Sequence, residues 1–162
     1  LTLSRPNESV QAEWAEFDLE KALWTIPARR MKARREHIIP LPTQAVELLK
    51  AMHPITGHTK FVFPNRDDRQ RPMADAALRQ ALKKLGWATK YSPHGTRTTG
   101  STRLNEMGYR PDAIEAQLAH AEPNSVRRTY NHATYLDERR VMMQDWADKL
   151  DGWKTHARKD AN

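Results

Sequence analysis

Residues 94–130 read HGTRTTGSTRLNEMGYRPDAIEAQLAHAEPNSVRRTY, and their spacing predicts two consecutive helices and a short third. The first should run from about Gly95 to Met107 and stop at Gly108, because glycine readily takes the left-handed conformation that ends a helix. Pro111 opens the second, where its missing N–H costs nothing, and Asp112 suits the positive end. Ile114 and Leu118 recur at i, i+4 with Ala113 alongside, a narrow apolar side. The short third helix spans about Asn124 to Tyr130.

The polar residues of this stretch point to anion chemistry. His94 and Arg97 are three apart and share a helical face, beside a helix start whose backbone N–H groups favour anions. A fixed guanidinium grips two phosphate oxygens at once, and an imidazole moves a proton near neutral pH. His120 closes the second helix. Tyr130 follows ten positions later in a basic context, Arg127 and Arg128. A phenol is a poor nucleophile until cations and a base surround it. Each piece alone has a plainer reading: a capping histidine and a solvated arginine, an imidazolium at a helix C-terminus, a half-buried aromatic. Tyr135 competes with Tyr130 as nucleophile, and Tyr91 and Tyr109 do so with less support.

Upstream, Trp14 to Leu19, Ala22 to Pro27 and Glu36 to Leu41 carry aromatic and branched apolar residues. They predict a small antiparallel sheet with a basic hairpin tip, Ala28-Arg-Arg-Met-Lys-Ala-Arg-Arg35. The tip offers Arg29, Arg30, Lys32, Arg34 and Arg35 to solvent or to a phosphate backbone. The periodicity then turns helical. Ala45, Leu48, Leu49 and Met52 form one stripe, with Thr43 as a candidate N-cap. Phe61-Val-Phe-Pro64 is a short apolar piece before a polar loop, Asn65 to Arg71. Ala77, Leu78, Ala81, Leu82 and Leu85 form a second stripe, closed by Gly86. A last helix from about Leu136 to Leu150 repeats Met142, Trp146 and Leu150 at i, i+4, i+8, a stripe for its own core or for a neighbouring subunit. Residues 151–162 read as a polar, frayed tail. The fold class is α+β, mainly α: a small antiparallel sheet followed by a helical body. Arg5 and Glu8, as R-x-x-E, read alone as a helical ion pair worth about 0.3–0.5 kcal/mol. Leu1-Thr-Leu-Ser4 reads as the end of a helix under way, so the chain is expected to be a piece of something longer.

Composition bounds the function. At 162 residues the chain suits one domain with a sizeable core. Lys and Arg total 27 against 20 acidic residues, a formal charge of +7, and the pI is about 9.9. That balance suits a polyanion, with nucleic acid the first candidate. There is no cysteine, hence no disulfide framework or thiolate chemistry, as expected of a cytoplasmic protein. No apolar run approaches the ~20 residues that span a bilayer. Carboxylates are scattered, and H-E-x-x-H, cysteine pairs and glycine-rich phosphate loops are missing, so neither a metal nor a nucleotide is implied.

Taken in order, Arg5, Lys32, His94-x-x-Arg97, His120 and Tyr130 resemble the catalytic domain of the tyrosine recombinases, the phage integrase family. Trp24-Thr-Ile-Pro27, Met31-Lys-Ala-Arg-Arg35, Leu118-Ala-His120 and Tyr130-Asn131 followed by Leu136-Asp-Glu-Arg-Arg-Val-Met-Met143 are similar to prophage integrases of the satellite-phage type. The resemblance covers about residues 1–150. It implies a site-specific recombinase that cuts and rejoins DNA through a 3′-phosphotyrosine, without cofactor. Arg5 would be the first catalytic arginine, supported by Glu8, and Lys32 would protonate the leaving 5′ oxygen. His94 and Arg97 would be the H-x-x-R pair, His120 the second histidine and Tyr130 the nucleophile. Arg29, Arg30, Arg34, Arg35, Arg127 and Arg128 would contact DNA.

The implied partners are double-stranded attachment sites, on which family members act as tetramers near the bacterial nucleoid. The family's N-terminal DNA-gripping domain would be missing, together with the part of the catalytic domain before Arg5. Three positions depart from the pattern. Ala119 stands where many members have glycine, the ten-residue step to Tyr130 is one longer than in many relatives, and Ser9 replaces a common apolar residue. A type IB topoisomerase shares the chemistry, and a non-catalytic DNA-binding regulator or degenerate recombinase would share the basic surface. The integrase-like wording around Tyr130 separates the chain from the first, and the retained set of six from the second.

Overall fold

The computed structural model describes residues 1–120 and 135–159. After an irregular segment, Leu1–Arg5, comes a short helix α1 (Pro6–Val10), then a 3₁₀ turn at Trp14–Glu16 and the strands β1 (Phe17–Asp18), β2 (Leu23–Ile26) and β3 (His37–Pro40). The helices α2 (Thr43–Thr56), α3 (Ala76–Lys84), α4 (Gly95–Glu106), α5 (Pro111–Gln117) and α6 (Leu136–Lys159) follow. The predicted α+β architecture is therefore present, with the sheet before the helical body.

The sheet is antiparallel in the order β1-β2-β3, with Phe17 opposite Trp24 and Trp24 opposite Ile39. Along β2 burial alternates, Trp24 and Ile26 pointing inward, as the pleat dictates. These residues join Ala12, Met31, Ile39, Leu41, Ala45 and Val62 in one core. A second core holds Leu3, Leu104, Ala113, Ile114, Leu118, Met142, Met143 and Trp146, with Leu150 packed against it. The stripe Met142, Trp146, Leu150 is thus spent on the chain's own core.

Several elements differ from the sequence reading. The strands are shorter than the apolar runs, because Trp14–Glu16 turns as a 3₁₀ helix whose Glu16 carboxylate is claimed by Trp24 Nε1 at 2.9 Å and by Arg30. Leu1–Ser4 is irregular rather than helical, with Leu3 at φ +54. Pro42, not Thr43, takes the N-cap of α2, and the backbone and hydroxyl of Thr43 instead donate to Gln144 Oε1. Phe61 and Pro64 make single bridges to Glu13 and Pro72. The last helix continues past Leu150 to Lys159. The helices of the opening stretch lie where expected, α4 ending before Gly108 at φ +83 and α5 beginning at Pro111. The short helix expected at Asn124–Tyr130 lies outside the described residues.

Gly100 is the hinge between sequence and site. A Cβ there would lie 2.3 Å from Leu3 Cδ2. A mid-helix glycine costs about 1 kcal/mol of helix propensity, and here it lets the N-terminal segment cross α4 in contact. That crossing puts the carbonyl of Leu3 beside Arg97, one turn earlier on the same face.

A buried polar network binds the two cores. Gln117, fully buried, donates to Thr2 O at 2.8 Å and accepts from Arg139 Nε at 2.9 Å. Arg139 also donates to Ile38 O at 2.6 Å, and His37 Nε2 donates to Gln117 O at 3.1 Å. Burial first, and the Arg139 charge second, push the His37 ring down to about 4. A lowered histidine stabilises the fold fully above its unfolded value near 6.5 and loses that contribution as pH falls toward 4. Unfolding at pH 5 against pH 7.5 should therefore show about 2 kcal/mol lost through this ring. In His37→Asn, urea denaturation at the two pH values should differ by that much less.

Candidate active site

The C-terminal turn of α5, Leu118–His120, lies where the two cores meet. Leu118 belongs to the helical core and Ala119 packs against the sheet core. The last carbonyls of a helix lack intrahelical partners and carry the negative end of its dipole, so they attract cations. Two guanidiniums take them. Arg97 is 4% exposed, and it donates to Leu3 O and, at 2.8 Å, to Leu118 O. Arg5 Nη2 lies 3.5 Å from Ala119 O.

Arg5 is held from behind. It is the N-cap residue of α1, and Glu8, buried, accepts its backbone N–H at 2.7 Å and its Nη1 at 2.8 Å. The R-x-x-E pair is therefore a brace that fixes both main chain and head group. Burial, and next the Arg5 charge, hold the Arg97 guanidinium below its usual range. Two crowded, partly desolvated cations are stabilised by an anion placed between them.

His120 completes the cluster. Arg97 Nη2 lies 3.2 Å from His120 Nε2, and Glu115 Oε2 lies 2.7 Å from Nδ1. Four of the sequence-predicted residues, Arg5, Glu8, Arg97 and His120, are thus joined through one turn. His94 is the N-cap residue of α4, exposed and one turn before Arg97. Lys32 is exposed on the turn between β2 and β3, and among the described residues no hydrogen bond or ion pair joins it to the cluster. Tyr130, Arg127 and Arg128 lie outside the described residues. Tyr135 packs against the helical core, with the Arg110 guanidinium 5.1 Å from its ring centre. Among the described residues no group of three or more metal-ligating side chains comes together.

Arg5, Arg97 and His120, far apart in the sequence, are thus brought together at the end of α5. The model of the phage integrase family matches residues 1–137. The chain belongs to that family. Prophage integrase IntA of Escherichia coli (strain K12) is 46% identical over 148 residues, covering 91% of this chain and 36% of that protein. The integrase of Enterobacteria phage P4 is 42% identical over 167 residues, covering 93% and 38%. The chain therefore spans little more than a third of the length of these relatives. XerA recombinase shares the fold with a TM-score of 0.63 at 17% identity, over 82% of this chain and 48% of that one. The Tn1549 transposon integrase, solved in complex with transposon right end DNA, does so with a TM-score of 0.56 at 19% identity, over 90% and 56%.

Within this integrase-family domain, Ala119 has a structural reason to stand out. Its φ is +49, the left-handed region that favours glycine. The turn closes with His120 N–H on Glu115 O at 3.1 Å, the six-to-one bond of a Schellman end. Ala119→Gly should stabilise the domain by about 0.5–1 kcal/mol, a rise of about 2 °C in Tm, with His120 still in place. A fall in Tm would mean that the methyl's packing outweighs its backbone strain.

The basic hairpin divides. Arg34 and Arg35 are exposed, and Arg29 is mostly so, 3.7 Å from Glu13. Arg30 departs from the expected DNA-facing set. Its side chain is 9% exposed, paired with Glu16 and donating to Glu8 O at 2.7 Å. It ties the hairpin to the loop that carries Arg5. Sequence reasoning also passed over Glu115, Gln117 and Arg139. The signal for Glu115 was its five-residue lead on His120, the spacing of a Schellman turn rather than of a helical pair.

Proposed function

We propose that the chain is the catalytic domain of a site-specific recombinase that cleaves and rejoins DNA through a 3′-phosphotyrosyl intermediate, integrating or excising a mobile element. The observation that carries this reading is the convergence of Arg5, Arg97 and His120 on the end of α5. Fixed donors aimed at a phosphate supply the largest stabilisation available to such a reaction, because charge grows on the non-bridging oxygens in the transition state.

Tyr130 Oη attacks the scissile phosphorus in line, forming the Oη–P bond as the P–O5′ bond breaks. The phenolic proton passes to His94, and Lys32 gives a proton to O5′ so that it leaves as a hydroxyl. The phosphotyrosine conserves the bond energy, so a 5′ hydroxyl of another strand can attack it and complete the exchange. Residues 1–150 would form the catalytic unit and 151–162 its polar extension. Exposed Arg29, Arg34 and Arg35, with Arg127 and Arg128, would contact the DNA backbone. A homotetramer on two attachment sites would assemble in the cytoplasm, at the nucleoid. The names of the relatives and the DNA bound to the Tn1549 integrase support this reading.

The test uses the full-length recombinase carrying this chain, with its accessory proteins, on a nicked attachment-site duplex in EDTA. A denaturation-resistant adduct at the 3′ side, with a free 5′ hydroxyl, is expected. Absence of the adduct would defeat the reading.

A further inference from the structure

We propose that Glu115 is a positioning residue for strand cleavage: it keeps a proton on Nδ1 of His120 and so dedicates Nε2 to the scissile phosphate. The proposal rests on the recombinase reading above. An arginine N–H can only donate, so at 3.2 Å from Arg97 Nη2 the Nε2 atom of His120 is the acceptor. The ring's proton is then on Nδ1, where Glu115 Oε2 accepts it at 2.7 Å. The imidazole is held at both nitrogens, by α4 on one side and α5 on the other.

The main chain builds this pair. The left-handed Ala119 folds His120 back over its own helix, and the bond from His120 N–H to Glu115 O fixes the two residues side by side. The other charged groups of the cluster are Arg97 from α4 and Arg5 with its partner Glu8 from the N-terminal segment, and Glu8 is spent on Arg5. Glu115 is the carboxylate that bonds the ring. Its side chain is 53% exposed and that of His120 45%, and exposed pairs of this kind contribute little to stability. The contact therefore matters for the ring rather than for the fold.

A phosphate entering the cluster takes Arg97 Nη2 for one of its oxygens and leaves Nε2 facing another. The ring binds a proton from solvent at Nε2 and becomes an imidazolium that donates to the phosphate, while Nδ1–H stays on Glu115. A charged donor makes the stronger bond. Without Glu115 the ring's single proton can sit on either nitrogen and the ring is free to turn. This is the arrangement by which a carboxylate sets the tautomer of a working histidine.

Two measurements test this. Nitrogen NMR of the neutral His120 ring should show Nδ1 protonated and Nε2 bare in the unmodified chain, and Glu115→Ala should move protonation toward Nε2. Single-turnover cleavage of saturating nicked DNA by the full-length protein should fall about 10- to 100-fold in Glu115→Ala, with DNA Kd and Tm unchanged. In a His120→Asn background the same change should have no further effect, since a residue acting through His120 loses its role with it. An unshifted ring in Glu115→Ala, an unchanged cleavage rate, or an equal loss in both backgrounds would overturn the assignment. A wild-type protein that forms no adduct would instead overturn the recombinase reading, and with it the catalytic role given to Glu115.

Discussion

Arg97→Lys should slow formation of the covalent adduct by about 10²- to 10³-fold, the loss expected for one fixed donor aimed at transition-state charge. The guanidinium reaches Leu3 O, Leu118 O and His120 Nε2 together. An ammonium is a point charge on a flexible stem and cannot present that fork. It would also leave one of two buried carbonyls unpaired, at about 1–3 kcal/mol, so the variant should melt at a lower temperature. The two effects separate by experiment. Cleavage is read at a temperature where circular dichroism shows the variant folded, with DNA at saturation. Binding should fall far less than cleavage, because many phosphates share it and its salt dependence reflects all of them. A cleavage rate within tenfold of the wild type would show that Arg97 is structural.

Much of the site was legible because it is written in residue types that have few other uses in that order. The helices α4 and α5 could be placed from Gly95, Gly108 and Pro111, and the arginines and histidines from their spacing. The partners could not. Arg97 is held by the carbonyls of Leu3 and Leu118, and a main-chain oxygen leaves no mark in a sequence. Gly100 was silent for the same reason, since its purpose is the approach of Leu3. In the sequence Arg30 is like any other cation of a hairpin tip, and only the fold brings Glu16 and Glu8 O beside it. Short strands were overestimated because a two-residue strand such as β1 is defined by its pairing with Trp24 and Leu23, not by its own pattern. The departure at Ala119 was visible as an oddity, and the backbone supplied its meaning.

The structure also bears on the choice between two tyrosines. Tyr135 starts the approach to α6 with φ +47, packs on the helical core and lies under Arg110. Releasing it to attack a phosphate would strip contacts from that core. Tyr130 lies nearer His120 in sequence.

The measurement that bears most directly on the proposed phosphate site is therefore adduct formation by three full-length proteins on the same nicked attachment-site DNA, followed by peptide mapping of the linked residue. Wild type and Tyr135→Phe should both form the adduct, with DNA attached at Tyr130, and Tyr130→Phe should form none. An adduct that survives in Tyr130→Phe, or that maps to Tyr135, would contradict the account.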